Sequence, residues 1–372
     1  MNKKIIIFIS VLFLCFDCNF KASFCNCLFK KSIKTKNDFS CTYSKFFTRK
    51  DFKKTSKKEY IWIQKSTKPF RELILSWNAF RPKRGKFSFF VSVKHNYWSN
   101  WYKIAEWGAN SQQTFVNTKN PFVHVKHVRT ELKRRRKALA FRIKVKAENG
   151  ADIRKIKALF VCISKGNGSF KIEKPNINLP DVYVKRVPRQ SQMVIKHKRA
   201  ADLCSPTSIS MIVNYFLKNK KICKSFIGGL NNYVRQIAKK IHDDSYLDIY
   251  GNWILNVAQA FDSAKGKAFF KVERLNNFSN LYNYLKNNIP VAVSVRGHLN
   301  GGAKTYENGH FVVVIGWKRD RKAVICLDPA FKGSRKIARA YNIYNFLERW
   351  GNSTSPNLSY VPIPRNFVDQ IN

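Results

Sequence analysis

The apolar residues of this chain change their period part-way along it, and that change limits the fold more than any other feature. From about residue 60 to 164 they come in short runs of strand length: Tyr60-Ile61-Trp62-Ile63, Glu72 to Trp77, Phe87 to Val93, the alternating Phe141 to Val145, and Ile156 to Ile163. Turn-forming pairs at Arg81-Pro82, Arg84-Gly85 and Asn149-Gly150 punctuate them. Short strands with regular punctuation predict an all-β sandwich over 59–164. Further on, Ile209, Ile212, Val213, Phe216 and Leu217 follow the spacing of one buried helix face. Two more helices are expected at Asp248 to Ala264 and Asn280 to Asn288. Strand-like runs follow: VAVSVR behind Pro290, then Phe311 to Gly316 and Ala323 to Leu327. Helices first and antiparallel strands later predict an α+β domain over 187–372. Between the two, 165–186 holds Gly-Asn-Gly-Ser, Pro175 and Pro180, a linker composition.

Length and composition fit two folded units. The chain has 372 residues, of which 44% are hydrophobic and 14% aromatic, enough for packed cores. The start reads as a targeting segment over 1–22. Asn2-Lys3-Lys4 supplies a positive end and Ile5 to Phe16 a short apolar run, shorter than the roughly 20 residues of a membrane span. A cut near Ala22-Ser23 leaves Phe20 at a position that prefers a small residue. A lipid-modified cysteine at Cys15 or Cys18 is the second choice. Residues 23–58 are polar and Lys-rich, and a flexible basic leader is expected there. No later stretch is long and apolar enough to span a membrane, so the mature protein is expected to be exported: secreted, periplasmic or associated with the cell envelope.

The net charge of +48 attracts anionic partners by plain electrostatics, but the chain is rich in Lys, Asn, Ile and Phe, its basic residues run from end to end and no specific nucleic-acid motif accompanies them, so compositional bias is the first reading and a selected acidic partner the second. The run Lys133-Arg134-Arg135-Arg136-Lys137 reads as a solvated loop that could also dock an acidic polymer. Trp98, Trp101 and Trp107 read mainly as packing, with sugar stacking as the alternative. The nine cysteines form no paired CxxC, so a zinc ribbon is not indicated, and neither a metal nor a cofactor is expected. Cys25 or Cys27 could pair with Cys41 in an oxidising compartment.

One cysteine stands apart. In DLCSPTSISMIVNYF, Cys204 precedes the apolar stripe, and Pro206 suits a first helical turn. The free N–H groups and dipole at a helix start favour a thiolate. A thiolate nucleophile needs a base and the base an orienting acceptor. Of the seven histidines, His124 and His127 read as surface strand, His197 lies in a basic loop and His298 in a Gly-rich one. His310 follows Asn308-Gly309 and opens FVVVIG, which places it at a strand start, fixed yet open to a cleft. Asp328-Pro329-Ala330 follows the next strand and can sit beside it. Gln192, with Gln190 as its local rival, can donate to an oxyanion.

Taken together, VPRQSQ, LCSPTSISMIVNYF, NGHFVVVIGW and LDPAF resemble a papain-like cysteine peptidase, and more narrowly the family related to bacteriocin-processing (double-glycine leader) peptidases. The likeness covers roughly 187–350. It implies Cys204 as nucleophile, His310 as general base, Asp328 as its orienter and Gln192, over Gln190, as oxyanion donor. The upstream strands more loosely resemble a β-sandwich that precedes such domains in exported bacterial proteins. The chain carries no transporter segment and no P-loop, so leader cleavage during export does not follow. The expected activity is an exported cysteine peptidase or amidase acting on a peptide, isopeptide or cell-wall substrate. Two alternatives stand beside it: an inactive papain-like protein binding through the β domain, and a basic binder of anionic polymers.

Overall fold

The computed structural model describes residues 38–53, 58–217, 229–352 and 355–369. The expected targeting segment, Cys25, Cys27 and most of the expected leader lie outside them. Two antiparallel sheets make up the N-terminal half. The first holds β1 (Ser40–Phe46), β3 (Glu72–Ala79), β7 (Val116–Asn117), β8 (Val123–Lys126), β9 (Arg129–Leu132) and β11 (Ile156–Ser164), in the order β1-β11-β3-β9-β8-β7. The second holds β2 (Glu59–Gln64), β4 (Lys86–Lys94), β5 (Tyr102–Gly108), β6 (Gln112–Thr114) and β10 (Ala140–Glu148), in the order β2-β10-β4-β5-β6. Aromatic side chains join the sheets. Trp77 of β3 stacks on Phe89 of β4 with ring centres 4.1 Å apart, and Trp107 meets Trp77 edge-on.

The C-terminal half has one antiparallel sheet flanked by helices. Its strands are β13 (Ala268–Arg274), β14 (Val291–His298), β15 (Thr305–Lys318), β16 (Ala323–Leu327), β17 (Ala338–Asn342) and β18 (Leu358–Pro364), in the order β13-β18-β14-β15-β16-β17. The helices are α2 (Cys204–Leu217), α3 (Gly229–Ile241), α4 (Trp253–Ser263), α5 (Phe278–Lys286) and α6 (Ile343–Gly351); short α1 (Arg49–Lys53) and α7 (Arg365–Asp369) lie at the two ends. α2 lies on β15; Ile209, Ile212, Val213 and Leu217 are buried as their spacing predicted, whereas Phe216 is half-buried, and Thr207, Ser208, Ser210, Met211 and Asn214 are buried too, so the helix is covered on more than the predicted face.

Several expectations need correction. β1 lies inside the segment read as leader: all seven of its residues pair with β11, from Ser40–Ser164 to Phe46–Ala158. The stretch read as linker is tied down, because β12 (Val182–Tyr183) adds to the edge of β15, with Trp317 Nε1 donating to the Leu179 carbonyl. The helix expected from Asp248 starts at Trp253, where the Asn252 side chain caps it by accepting from Leu255 N–H. The helix expected from Asn280 starts at Phe278, capped by Asn277. His127 is not on the surface: it is buried between Thr114 and Tyr246. Trp107 is core, while Trp98 and Trp101 are half-buried under the Arg142 guanidinium.

β3 is buried along its whole length because both faces are covered, one by the second sheet and one by α4 and β13. It meets β13, the edge strand of the C-terminal sheet, through side chains. Asn78 donates to the Phe270 carbonyl and accepts from Phe270 N–H at 2.8 and 2.7 Å. Ser76 accepts from Val272 N–H, and the Cys162 sulfur accepts from Arg274 N–H. The outward N–H groups of alternate residues on β13 are thus satisfied by the N-terminal half, which covers a sheet edge that would otherwise template aggregation.

Candidate active site

The site forms where the start of α2 meets β15 and the turn after β16. Cys204 opens α2, half-buried. Ser208, two residues after Pro206, donates to the Phe311 carbonyl at 3.1 Å and ties the helix to the strand that carries His310. Ser205 bonds Tyr360, whose ring stacks on Phe311. The helix start is therefore fixed by two hydroxyls of its first turns, Ser208 against β15 and Ser205 against Tyr360 of β18.

His310 is not at a strand start. β15 begins at Thr305, and His310 pairs with Val295 of β14 while Tyr306 pairs with Gly297. Between these pairs β14 advances by two residues (297 − 295) and β15 by four (310 − 306). Glu307, Asn308 and Gly309 therefore bulge into solvent, with Gly309 at φ +88°, a left-handed conformation that favours glycine. The bulge folds Tyr306 back beneath His310, and the two rings stack with centres 4.0 Å apart. The imidazole is consequently buried rather than open to a cleft; Cys204 is the less deeply buried residue of the pair.

Asp328 follows β16 as expected, and its burial is complete. One oxygen accepts from His310 Nε2 at 2.7 Å and from Ala330 N–H at 3.0 Å. The other accepts from the Tyr306 and Tyr341 hydroxyls at 2.7 and 2.6 Å. Four donors on one carboxylate compensate for its desolvation. With Nε2 held by Asp328, Nδ1 is left to serve the Cys204 sulfur, which is hydrogen-bonded to His310.

The electrostatics follow from this geometry. Burial disfavours a Cys204 thiolate, but the His310 hydrogen bond and charge, with the main-chain N–H groups of Phe311 and Ser205, outweigh it and hold the thiol below its ordinary 9.0. Burial also works against a charged His310, yet Asp328 and Cys204 push it from 6.5 up to about 9. Burial raises the Asp328 carboxyl, and the charge and hydrogen bond of His310 overcome this, taking it to about 2. All three shifts favour a thiolate–imidazolium pair beside a carboxylate.

Gln192 is buried in the turn before this site, and its main-chain N–H donates to the Pro329 carbonyl, next to Asp328. Its side-chain Nε2 donates to the carbonyls of Ala200 and Ala201 at 3.1 and 2.7 Å, which holds the turn that leads into Cys204. Its Oε1 has no hydrogen-bond partner. Gln190 points elsewhere, to Asn231 and the Ser191 carbonyl. The structure thus joins Cys204, His310 and Asp328 directly and puts Gln192 behind the loop that positions Cys204. Among the described residues, no group of His, Cys, Asp or Glu could hold a metal ion.

Residues 184–357 match the Peptidase_C39 like family. The match covers 174 residues, a little under half of the 372. The match points to a cysteine peptidase in general type for this segment. A candidate C39-like peptidase from Bacillus anthracis is similar in structure at 16% sequence identity, covering 50% of this chain and 99% of that one with a TM-score of 0.36; a likeness that low carries no argument about activity. No curated protein matches the chain.

Sequence reasoning missed Tyr306 and Tyr341, which complete the Asp328 cradle. Tyr306 is four residues before His310, a separation of more than 10 Å in a regular strand, so only the bulge brings them together. The Asn-Gly pair ahead of His310 was the available signal for that irregularity.

Proposed function

We propose that the protein is an exported cysteine peptidase or amidase that cleaves a peptide or isopeptide bond in a protein or cell-wall substrate. The observation that carries this reading is a Cys204 thiol held low by a buried His310 whose far nitrogen is fixed by Asp328. The Cys204 thiolate attacks the carbonyl carbon, and the C–N bond breaks as His310 gives its proton to the leaving amine. The resulting thioester is hydrolysed when neutral His310 takes a proton from the attacking water, which releases the acid and restores the ion pair. The Cys204 main-chain N–H is one oxyanion donor in this scheme. Gln192 is the second, and it exchanges one of its bonds to Ala200 or Ala201 for the substrate oxygen as the carbonyl arrives.

Export is supported by the basic end and apolar run of residues 2–16. We read the two N-terminal sheets, joined by Trp77 and Phe89, as the β-sandwich that the strand spacing suggested. The reading is tested by digesting a peptide library and purified peptidoglycan with the mature protein, using Cys204→Ala as the blank. Cleavage products absent from the blank are expected. Identical digests from both proteins would remove the peptidase assignment.

A further inference from the structure

The basic run Lys133 to Lys137 is not a solvated loop throughout. Lys133 pairs with Glu131 at 2.7 Å, and the Arg134 and Arg136 guanidiniums lie over the Phe122 ring, 5.5 and 3.5 Å from its centre. The alternate residues Arg135 and Lys137 instead line a cavity of about 660 Å3 in the N-terminal half. Lys68, Arg71 and Lys165 line it as well, against a single carboxylate, Asp38, which lies 3.8 Å from Lys68. The walls are fixed: Phe70 and Ala138 exchange both main-chain hydrogen bonds, and Arg71 N–H donates to the Ser164 carbonyl. Arg71 Nε is buried with no hydrogen-bond partner. Among the described residues no carboxylate pairs with Arg71, Arg135, Lys137 or Lys165, although the chain does pair other cations, such as Lys133, with its scarce acids.

We propose that this cavity is a binding site for a ligand with clustered oxyanions, phosphates or carboxylates. Its volume is that of a small-molecule or short-oligomer site. Two guanidiniums and three ammonium groups on held loops suit several oxygens at once, with Arg71 Nε as the donor already desolvated. None of the lining residues belongs to the Cys204 site, so the assignment is independent of the peptidase reading.

The experiment must separate a site from the diffuse attraction of a +48 chain. Tripolyphosphate and citrate are titrated calorimetrically into the full protein at about 0.1 M salt, where the screening length is near 10 Å. Two variants of equal charge change are compared: Arg135→Gln with Lys137→Gln, and Lys239→Gln with Lys240→Gln, the latter on the exposed face of α3. Both replaced cavity residues are exposed, so folding is preserved, and unchanged alkylation of Cys204 checks it. Saturable one-to-one binding is expected, weakened about tenfold or more by the cavity variant and less than about twofold by the α3 variant. Tighter binding of tripolyphosphate supports a phosphate ligand, and tighter binding of citrate supports a carboxylate one. Equal losses in the two variants, or no saturable binding of either anion, overturns the site.

Discussion

At Cys204 the chemistry depends on a neighbour that is itself set by a neighbour. Replacing His310 by alanine removes the hydrogen bond and charge that oppose burial at the sulfur, so the thiol returns upward toward and above 9.0. Alkylation of Cys204 at pH 7 is then expected to slow by about tenfold or more, since the thiolate is the nucleophile; an unchanged alkylation profile would detach His310 from the sulfur. The alkaline side separates two roles. His310 loses its proton near about 9, and with it the ability to protonate a leaving amine. Hydrolysis should therefore fall above that pH while alkylation does not. In Asp328→Asn the carboxylate that raises His310 is gone, and this fall moves to lower pH, with hydrolysis at its optimum down about a hundredfold or more. The same shifts have a sign for stability. The raised His310 stabilises the fold below its ordinary 6.5 and loses that contribution as pH rises through about 9; the lowered Asp328 stabilises it above 3.8 and loses it as pH falls through about 2. Denaturation profiles that peak outside this window in wild type and flatten in neither variant would contradict the pairing.

Among the elements, what could be read in advance was what local spacing controls. The α2 stripe from Ile209 to Leu217, the β-branched β16 and the alternating β10 each declare their period within one segment. β1, β12 and β13 do not, because their place depends on a distant partner: β1 on β11, β12 on the edge of β15, β13 on β18. The site divides likewise. Cys204 before an apolar stripe and Asp328 after a strand are local signals, whereas Tyr306 reaches His310 only through the bulge at Glu307–Gly309. Asn78 shows how such a long-range dependence can be measured. Its amide imitates a peptide group, satisfying both Phe270 N–H and the Phe270 carbonyl across the two halves. In Asn78→Ala both are left buried without partners, at about 1–3 kcal/mol each, so a loss of about 2–6 kcal/mol is expected. Urea denaturation measures it; a loss below about 1 kcal/mol would mean that water or a rearranged strand takes over both bonds.

For the molecule as a whole, one hydrophobic core runs from Trp62 through β3, α4 and β13 to Val368, without a boundary at the segment read as a linker. At its centre Arg274 of β13, fully buried, makes two bonds to the Glu72 carboxylate of β3 at 2.6 and 2.7 Å. Arg129 approaches the same carboxylate at 3.7 Å, and Ser164 donates to it. A buried pair is weak evidence for stability when intact, but removing one charge leaves the other desolvated and uncompensated. Glu72→Gln keeps the size and one acceptor while deleting the charge that faces two guanidiniums, so a loss of about 3 kcal/mol is expected. Because the pair belongs to neither half alone, that loss must fall on both. Hydrogen exchange read by mass spectrometry at increasing urea is expected to show β10, in the N-terminal sheets, and β14, beside His310, losing protection together in wild type and together at lower urea in Glu72→Gln. Two separate midpoints, with only one of them moved by the substitution, would show that the halves fold independently and that the C-terminal half does not need the sheets packed on its edge.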